Sequence, residues 1–285
     1  MTLISQQRIP FVKMSGTGND FLILDNRNSI LEESAYSRLA QLLCRRQHSL
    51  GADGVIFIES SEIADFRWRF YNCDGSEAEM CGNGSRCVAR YAYLRGLSKA
   101  HCRFESKVGI IQSQIYQDKV RVLLTNPKAL RLNYNLNIDG RPLKVSSIDT
   151  GVPHAVIEVK NLQEFAEGNL IELGKTVRNH PFFQPTGTNV NFIEIIDSSS
   201  LRIRTYERGV ENLTLSCGTG MVASAILTHA HGMTQSPVRI VSDGGVTEVF
   251  FECEDNNYSG VYLQGEARYL CEGEFTREAL EVNHV

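Results

Sequence analysis

Hydrophobic and polar positions alternate along much of this 285-residue chain, as they do in strands that are half-buried in a sheet. The alternation predicts two sets of strands, one on each side of Asn126-Pro127, a dipeptide typical of a boundary between segments. The predicted strands are Phe11–Met14, Phe21–Asp25, Val55–Glu59, Phe66–Tyr71, Gly109–Tyr116 and Lys119–Leu124, then Ser147–Asp149, His154–Val159, Asn189–Ile195, Leu201–Tyr206, Val238–Val241, Thr247–Glu252 and Val261–Leu263.

Helical spacing predicts three helices among these strands. Ser29 has the side chain of an N-cap, and the helix after it is expected to run to about Arg46. The other two follow Cys81-Gly82-Asn83-Gly84 and Cys217-Gly218-Thr219-Gly220. A Cys-Gly-x-Gly loop at the start of a helix therefore occurs in both halves, 136 residues apart (217 minus 81).

This repetition predicts an α+β fold of two pseudo-symmetric lobes. Each lobe is expected to be a mostly antiparallel or mixed sheet wrapped on a central helix, with the active site in the cleft between the lobes. The N-terminal lobe is expected over residues 1–126, joined by the C-terminal segment 272–285, and the C-terminal lobe over residues 127–271.

Composition excludes several classes of partner. The net charge of −4 and the isoelectric point near 6.0 give no basic surface for nucleic acid. No apolar run approaches the roughly 18 residues of a membrane span, and the first 13 residues lack the apolar stretch of a signal peptide. We therefore expect a cytoplasmic protein with a small-molecule ligand. A homodimer is one expected form of the protein, beside a monomer.

The eight cysteines are distributed in a way that argues against a metal site or a disulfide framework. No Cys-x-x-Cys pair occurs, and a long unsecreted chain can build its own core without disulfides. The sequence therefore predicts no metal. Six cysteines are expected to be structural, most of them buried: Cys44, Cys73, Cys87, Cys102, Cys253 and Cys271.

Cys81 and Cys217 are the exceptions, because each stands at the mouth of a helix. Amides at a helix N-terminus carry a partial positive charge, glycine lets a ligand approach them, and a cysteine placed there is favoured as a thiolate. Two facing thiols suit one chemistry in particular: one removes a proton from a carbon and the other returns a proton to its opposite face. The helix mouths would hold a carboxylate beside that carbon.

Two readings from other classes compete with this one. Gly218-Thr219-Gly220-Met221-Val222-Ala223 fits a dinucleotide fingerprint, and Asp243 lies near the expected acidic position, which would suit a nicotinamide-dependent oxidoreductase. The short, partly polar segment before Cys217 and the absence of an alternating βαβ series argue against it. A non-catalytic binding module would leave the paired cysteines unexplained.

The motifs of this chain, taken in order, resemble those of the diaminopimelate epimerases, a two-lobed family that works without pyridoxal phosphate. The resemblance runs nearly end to end. It rests on Gly16–Phe21, Gly51–Gly54, Asn72–Ser76, Cys81–Cys87, Pro153-His154, Gly187–Asn191, Glu207–Gly209 and Cys217–Gly220.

The resemblance implies a role for individual residues. Cys81 and Cys217 would be the two acid/base groups, without any cofactor, and His154 and Glu207 would assist them by accepting or relaying protons. The remaining implied positions bind substrate, through polar side chains at the distal amino-acid end and through amides at the α-carboxylate: Asn19, Asn72, Asn189 and Arg208, and Gly82, Asn83, Gly84, Gly218 and Thr219.

The implied activity is conversion of LL- to meso-diaminopimelate in lysine and peptidoglycan synthesis. Two positions depart from the family pattern, Val152 where an Asn precedes Pro-His and Leu213 where the pattern has Glu. Both concern the wall of the substrate pocket. A racemase of another amino acid, such as histidine or glutamate, on the same fold is therefore the nearest alternative.

Overall fold

The computed structural model describes residues 8–281. Residues 1–7, on which part of the signal-peptide prediction rests, and residues 282–285 of the predicted C-terminal segment lie outside the described residues. The first strands are β1 (Ile9–Gly16), β2 (Asn19–Asp25), β3 (Gly54–Glu59), β4 (Phe66–Asn72), β5 (Glu77–Ala78), β6 (His101–Ser106), β7 (Gly109–Tyr116), β8 (Lys119–Leu123) and β9 (Lys128–Ile138). The later strands are β10 (Arg141–Asp149), β11 (Pro153–Glu158), β12 (Asn189–Asp197), β13 (Ser200–Glu207), β14 (Asn212–Thr214), β15 (Val238–Ser242), β16 (Gly245–Glu254), β17 (Asn257–Glu266) and β18 (Arg268–Phe275).

Four α-helices and three short 3-10 turns complete the described residues. The α-helices are α1 (Tyr36–Leu43), α2 (Gly82–Leu94), α3 (Glu167–Arg178) and α4 (Gly218–Ala230), and the 3-10 turns are Glu33–Ala35, Pro181–Phe183 and Arg277–Leu280. None of these helices is long and apolar enough to cross a membrane.

The chain divides into two compact units. Unit 1 extends to Val122 and resumes at Gly265, and unit 2 is Leu123–Gln264. The division precedes the expected limits at residues 126 and 271 for two reasons. The Leu124 amide already donates to the Val261 carbonyl of unit 2, and β18 pairs antiparallel with β1 of unit 1 from Arg268 onward.

Both units use the same succession of strand pairings, which fits an α+β fold built from a duplicated plan. In unit 1, β1–β2 is antiparallel, β2–β3 parallel, β3–β4 and β4–β5 antiparallel, β4–β6 parallel and β6–β7 antiparallel. In unit 2, β10–β11, β11–β12, β12–β13, β13–β14, β13–β15 and β15–β16 repeat that order of orientations. The internal repeat expected from the two Cys-Gly-x-Gly loops therefore extends to the topology.

A 13-residue helix packs on the strands of each unit, α2 in unit 1 and α4 in unit 2. Glycine lets the first turn of each helix approach its sheet closely. A Cβ at Gly16 of β1 would lie 2.9 Å from the Asn83 carbonyl oxygen of α2, and a Cβ at Gly220 of α4 would overlap the Asn191 side chain of β12. The two helix mouths are therefore fixed against the strands that carry the polar side chains around them.

The first helix differs from its prediction at both ends. Ser29 has a positive φ of 53° and caps nothing, because Asn26 holds the following loop by bonding both the amide and the carbonyl of Leu31. Helix α1 begins at Tyr36 and ends at Leu43, whose carbonyl accepts the Gly51 amide and so cannot continue the helix. The prediction of one helix from Ser29 to about Arg46 is wrong.

Candidate active site

Cys81 is the N-cap of α2, in extended conformation, and its Sγ accepts a hydrogen bond from the Gly84 amide at 3.4 Å. A sulfur in this position meets the positive end of the helix dipole, which favours the thiolate. A Cβ at Gly84 would lie at van der Waals contact with Trp68 and Ile56, at 3.4–3.5 Å, so this turn packs directly on both side chains. The predicted loop thus forms a helix mouth with the sulfur directed at its amides.

Behind this mouth lies a fully buried arginine that the sequence analysis did not assign. Arg86 donates to Asn83 Oδ1 at 2.7 Å and to Thr17 Oγ1 at 2.6 Å, and two backbone carbonyl oxygens, of Gly82 and Glu266, lie at 3.4 Å. All four acceptors are uncharged. Burial lowers the pKa of Arg86, whereas the nearby Cys87 and Cys81 thiols raise it when they are ionised. A buried cation is therefore coupled to the Cys81 sulfur.

Asn19 and Asn83, two of the predicted binding residues, are hydrogen-bonded to each other. Asn83 Nδ2 donates to Asn19 Oδ1 at 2.5 Å, and Asn19 Nδ2 donates to Asp53 at 3.0 Å. Asp53 in turn pairs with Arg46, which also binds Asp20. The Asn19 side chain is thus held in a defined orientation at the start of β2.

Asn72 ends β4 and lies in a tight turn. Its Nδ2 donates to Ser76 Oγ at 3.1 Å, and the Asn72 amide donates to the Ser76 carbonyl. The turn chemistry expected of Asn72-Cys73-Asp74-Gly75 is present. The side-chain hydrogen bond of Asn72 is therefore made within the turn.

Cys217 is the N-cap of α4 and is 8% exposed. Its Sγ lies 3.5 Å from Thr219 Oγ1, which also meets His154 Nε2 at 2.9 Å. Gly218 packs near Leu263, to which an added Cβ would come within 2.9 Å. The predicted residues of the second mouth are therefore brought together with His154, which β11 supplies.

His154 is completely buried, and this burial lowers its pKa to about 3; the hydrogen bond with Asn191 opposes the lowering, and the positive charge of Arg208 adds to it. The imidazole is therefore neutral over the physiological range. Its Nδ1 meets Asn191 Nδ2 at 3.0 Å. Asn191 also donates to the Ala155 carbonyl and accepts from Thr205 Oγ1, each at 3.0 Å.

Asn189 and Arg208 also act together. Asn189 is 4% exposed and pairs across β11 and β12 with His154. Its Oδ1 accepts from the Arg208 amide at 2.9 Å, and its Nδ2 donates to the Pro153 carbonyl at 3.2 Å. The Arg208 guanidinium donates to the Thr186 carbonyl at 2.9 Å. Asn189 thus anchors the backbone that carries Arg208.

Glu207 ends β13 and is half-buried. Burial raises the pKa of its carboxyl group, and the hydrogen bond from Thr214 Oγ1 at 3.0 Å opposes the rise. A carboxyl group whose pKa is raised in this way can exchange a proton closer to neutral pH.

The six other cysteines do not share these surroundings. Cys44, Cys87 and Cys102 are buried, and burial raises their pKa to about 12, about 12 and about 11. Thiols in such places are unreactive. The expectation that most of the six are buried is wrong for the other three, since Cys73, Cys253 and Cys271 are exposed.

The described residues support neither a metal site nor a dinucleotide site. Within residues 8–281, no group of three or more His, Cys, Asp or Glu side chains could hold a metal ion. The strand before Cys217, β14, has three residues and pairs antiparallel with β13, whereas a dinucleotide fingerprint needs a parallel βαβ unit. Asp243 pairs with Arg204 at 3.1 Å. The oxidoreductase alternative is therefore not supported.

The fold is shared with solved structures of distant sequence. A Bacillus anthracis phenazine biosynthesis protein of the PhzF family matches with a TM-score of 0.74 at 18% identity, covering 95% of this chain and 99% of its own. A probable proline racemase from Agrobacterium radiobacter K84 matches with a TM-score of 0.69 at 15% identity, covering 94% of this chain and 93% of its own. Fold and helix mouths thus define a protein of the PhzF and proline-racemase fold class.

Sequence comparison narrows that class to one family. The family model for diaminopimelate epimerase matches residues 11–130 and 146–270. The diaminopimelate epimerase of Aquifex aeolicus is 40% identical over 282 residues, covering 95% of this chain and 99% of its own. That of Archaeoglobus fulgidus is 38% identical over 255 residues, covering 85% and 89%. The chain belongs to the diaminopimelate epimerase family, whose members are isomerases.

Proposed function

We propose that this protein converts LL-diaminopimelate to meso-diaminopimelate, with Cys81 and Cys217 as its two acid/base groups. The observation that carries the proposal is a repeated motif: in each unit a cysteine is the N-cap of a helix whose glycine-rich first turn offers amides to an anion. Membership of the diaminopimelate epimerase family supports diaminopimelate as the substrate.

The proposed chemistry needs one thiolate and one thiol. The thiolate removes the α-proton of the L centre, and the thiol delivers its own proton to the opposite face of the same carbon. The product leaves with inverted configuration, and the two sulfurs have exchanged protonation states. Return to the starting state requires proton exchange with solvent.

The amides of both helix mouths would hold the α-carboxylate of the reacting centre. Amides of Gly82, Asn83 and Gly84 on one side and of Gly218 and Thr219 on the other are the proposed donors. Negative charge grows on this carboxylate as the α-proton leaves, and preorganised donors stabilise such charge more in the transition state than in the substrate. The amides would thereby stabilise the charge that a cofactor stabilises in other racemases, and no cofactor is proposed here.

Glu207 and His154 are the proposed helpers of the thiols. Glu207 has the raised pKa of a carboxyl group that can take up and release a proton. His154 is linked to Cys217 through Thr219.

The distal amino-acid end of diaminopimelate would be bound by Arg208, Asn189, Asn72 and Asn19. A guanidinium has five N–H groups, and Arg208 gives one to the Thr186 carbonyl, so that others can bind a carboxylate in a forked geometry. An amino acid without a second carboxylate would leave the remaining Arg208 N–H groups without this partner, at about 1–3 kcal/mol. This favours diaminopimelate over a monofunctional substrate by roughly one to two powers of ten.

We also propose a cytoplasmic location, where reducing conditions would keep the thiols available. The proposed ligand is a small amino acid, and neither nucleic acid nor a membrane has a part in the proposal.

The direct test is a comparison of kcat/KM for LL-diaminopimelate with those for L-histidine, L-glutamate and L-lysine, with product configuration read by chiral chromatography. The proposal expects LL-diaminopimelate to be processed at least tenfold better than the other three. Faster inversion of any of them would contradict the substrate assignment. Activity should also survive dialysis against a chelator and need no added pyridoxal phosphate.

A further inference from the structure

The orientation of the Asn191 side chain is fixed by its neighbours. One amide atom meets the Ala155 carbonyl oxygen, which can only accept, so that atom must be Nδ2. The other amide atom accepts from Thr205 Oγ1, the cross-strand partner of Asn191 on β13. The amide nitrogen, an obligate donor, therefore also meets His154 Nδ1.

This orientation decides which nitrogen of His154 carries the proton. Nδ1 accepts a hydrogen bond from Asn191 and so must present its lone pair, which puts the single proton of the neutral ring on Nε2. Nε2–H then donates to Thr219 Oγ1 at 2.9 Å. Within residues 8–281, Thr219 Oγ1 meets His154 Nε2 and the Cys217 sulfur. Because Nε2–H is itself a donor, the sulfur is the partner that can accept the hydrogen of the Thr219 hydroxyl group.

We propose that Asn191 is a positioning residue that locks His154 in its neutral Nε2–H form, so that Thr219 donates a hydrogen bond to the Cys217 sulfur. The proposal deepens the proposed function, on which it rests for the role of Cys217. It gives His154 the part of a hydrogen-bond donor at the mouth of α4. The resemblance to the family had suggested instead a group that accepts or relays protons.

The charges around His154 agree with this assignment. Burial and the positive charge of Arg208 lower the pKa of the ring, and together they outweigh the hydrogen bond with Asn191, which raises it. Two other titratable groups proposed for catalysis belong to unit 2: the Glu207 carboxylate accepts a hydrogen bond from the Thr214 hydroxyl, and the Cys217 sulfur meets the Thr219 hydroxyl. The ring is thus kept as a neutral donor on geometric and electrostatic grounds.

Nitrogen NMR of the full-length protein labelled with 15N-histidine tests the tautomer directly. The His154 resonances are identified by their loss in His154→Gln. The proposal expects an unprotonated Nδ1 and a protonated Nε2, unchanged between about pH 5.5 and about pH 8.5. A proton on Nδ1, or titration of the ring within this range, would overturn it.

The link to Cys217 is tested with Thr219→Val and Thr219→Ser. Alkylation by iodoacetamide is followed against pH, and peptide mapping reports Cys217 separately from Cys81. Loss of the hydroxyl in Thr219→Val should move the Cys217 alkylation midpoint upward by about one pH unit or more, a tenfold change or greater. Thr219→Ser keeps the hydroxyl and should restore the wild-type midpoint, which a merely structural role of the threonine methyl group would not do.

Two further results test the donor role of Thr219 and the control of the His154 tautomer by Asn191 separately. An unchanged midpoint in Thr219→Val would refute the donor role of Thr219, whatever the substrate is. Asn191→Asp should place a proton on Nδ1 of His154, because a carboxylate at this position accepts a hydrogen bond from Nδ1–H. The nitrogen spectrum should then show a protonated Nδ1. None of these readouts uses diaminopimelate, so failure of the substrate assignment would leave them intact and is distinguishable from failure of this proposal.

Discussion

Arg86 donates a 2.7 Å hydrogen bond to Asn83 Oδ1 from a position without solvent exposure, directly behind the first turn of α2. Buried arginines are usually paired with carboxylates, whereas the partners of this one are uncharged oxygens. Its positive charge can thus stabilise the Cys81 thiolate at the start of α2. We interpret Arg86 as the residue that supplements the helix dipole at Cys81.

Arg86→Met should therefore impair catalysis more than folding. The substitution removes the cation but fills most of the volume, and an apolar replacement for a buried charge is often tolerated. Turnover should fall about tenfold or more, and alkylation of Cys81 should need higher pH. Arg95→Met, at the exposed C-terminal end of the same helix, is the control and should change neither property. Wild-type Cys81 alkylation in Arg86→Met would refute the electrostatic role.

Replacing either N-cap cysteine should stop inversion. Cys81→Ala and Cys217→Ala each remove one of the two proton carriers, so a loss of about three powers of ten or more in kcat is expected. Cys102→Ala is the matched control, since its thiol is buried and its pKa is raised to about 11. Chiral chromatography of the product measures all three. Near-normal turnover by Cys81→Ala or Cys217→Ala would contradict the two-thiol mechanism.

Glu207 should make stability depend on pH. Because burial raises its pKa in the folded state, the folded protein binds this proton more tightly than the unfolded chain. The stabilisation from protonated Glu207 is fully present below the pKa that Glu207 has in the unfolded chain. It is lost as the pH rises through the pKa that Glu207 has in the folded protein. Glu207→Gln, which cannot ionise, should therefore melt above wild type at about pH 8, with a difference that shrinks at about pH 4, while activity falls.

The matched control for Glu207→Gln is Glu211→Gln. The pKa of Glu211 is lowered despite its desolvation, by hydrogen bonds from Gly209 and Tyr206 and by Arg178. The sign is therefore reversed: stability from Glu211 is present above its unfolded pKa and is lost as pH falls through its folded pKa. Glu211→Gln should melt at or below wild type at about pH 8. A Glu207→Gln variant that melts below wild type at that pH would contradict the account.

Gly220→Ala should damage both fold and site, because the added methyl group would overlap Asn191 and press on Thr205. We expect a loss of about 1–3 kcal/mol in the free energy of unfolding and displacement of Asn191 from His154. Gly168→Ala in α3 is the control, since nothing lies within 4 Å of its Cβ, and helix propensity predicts a gain of about 0.5–1 kcal/mol. Chemical denaturation measures both. Equal effects of the two substitutions would refute the close-packing argument.

The two helix mouths could be predicted from the sequence because each is encoded locally. Cysteine in an N-cap position, followed by Gly-x-Gly and then by an apolar helix, specifies its own conformation. Both predicted helices are present, but α2 begins at Gly82 and α4 at Gly218, within the motifs that they were expected to follow. The 13 predicted strands are present for the same reason, since alternation is a local signal, whereas β5, β6, β9, β14 and β18 were not predicted. Helix α3 was missed because its buried stripe has three residues, Leu170, Gly174 and Val177, and because its N-cap, Ala166, makes no side-chain cap.

Other parts of the site depend on strand register, which the sequence does not reveal. Asn191 reaches His154 because β11 and β12 pair in parallel with His154 opposite Asn189, and Thr205 reaches Asn191 because these two are cross-strand partners. Arg86 was missed for a different reason. A charged residue on a helix is ordinarily exposed, and its burial follows from the packing of Thr17 and Glu266 around it.

The most direct test of the two-thiol mechanism is the first turnover of LL-diaminopimelate in deuterium oxide, with mass spectrometry of the separated substrate and product. The thiol that protonates the carbon carries a solvent-derived hydrogen, and the removed proton stays on the other sulfur. The account predicts one deuterium at the inverted α-carbon of nearly every early meso product, while remaining LL substrate is unlabelled. Early product that retains the original hydrogen would show that one group both removes and returns the proton, and would contradict the account.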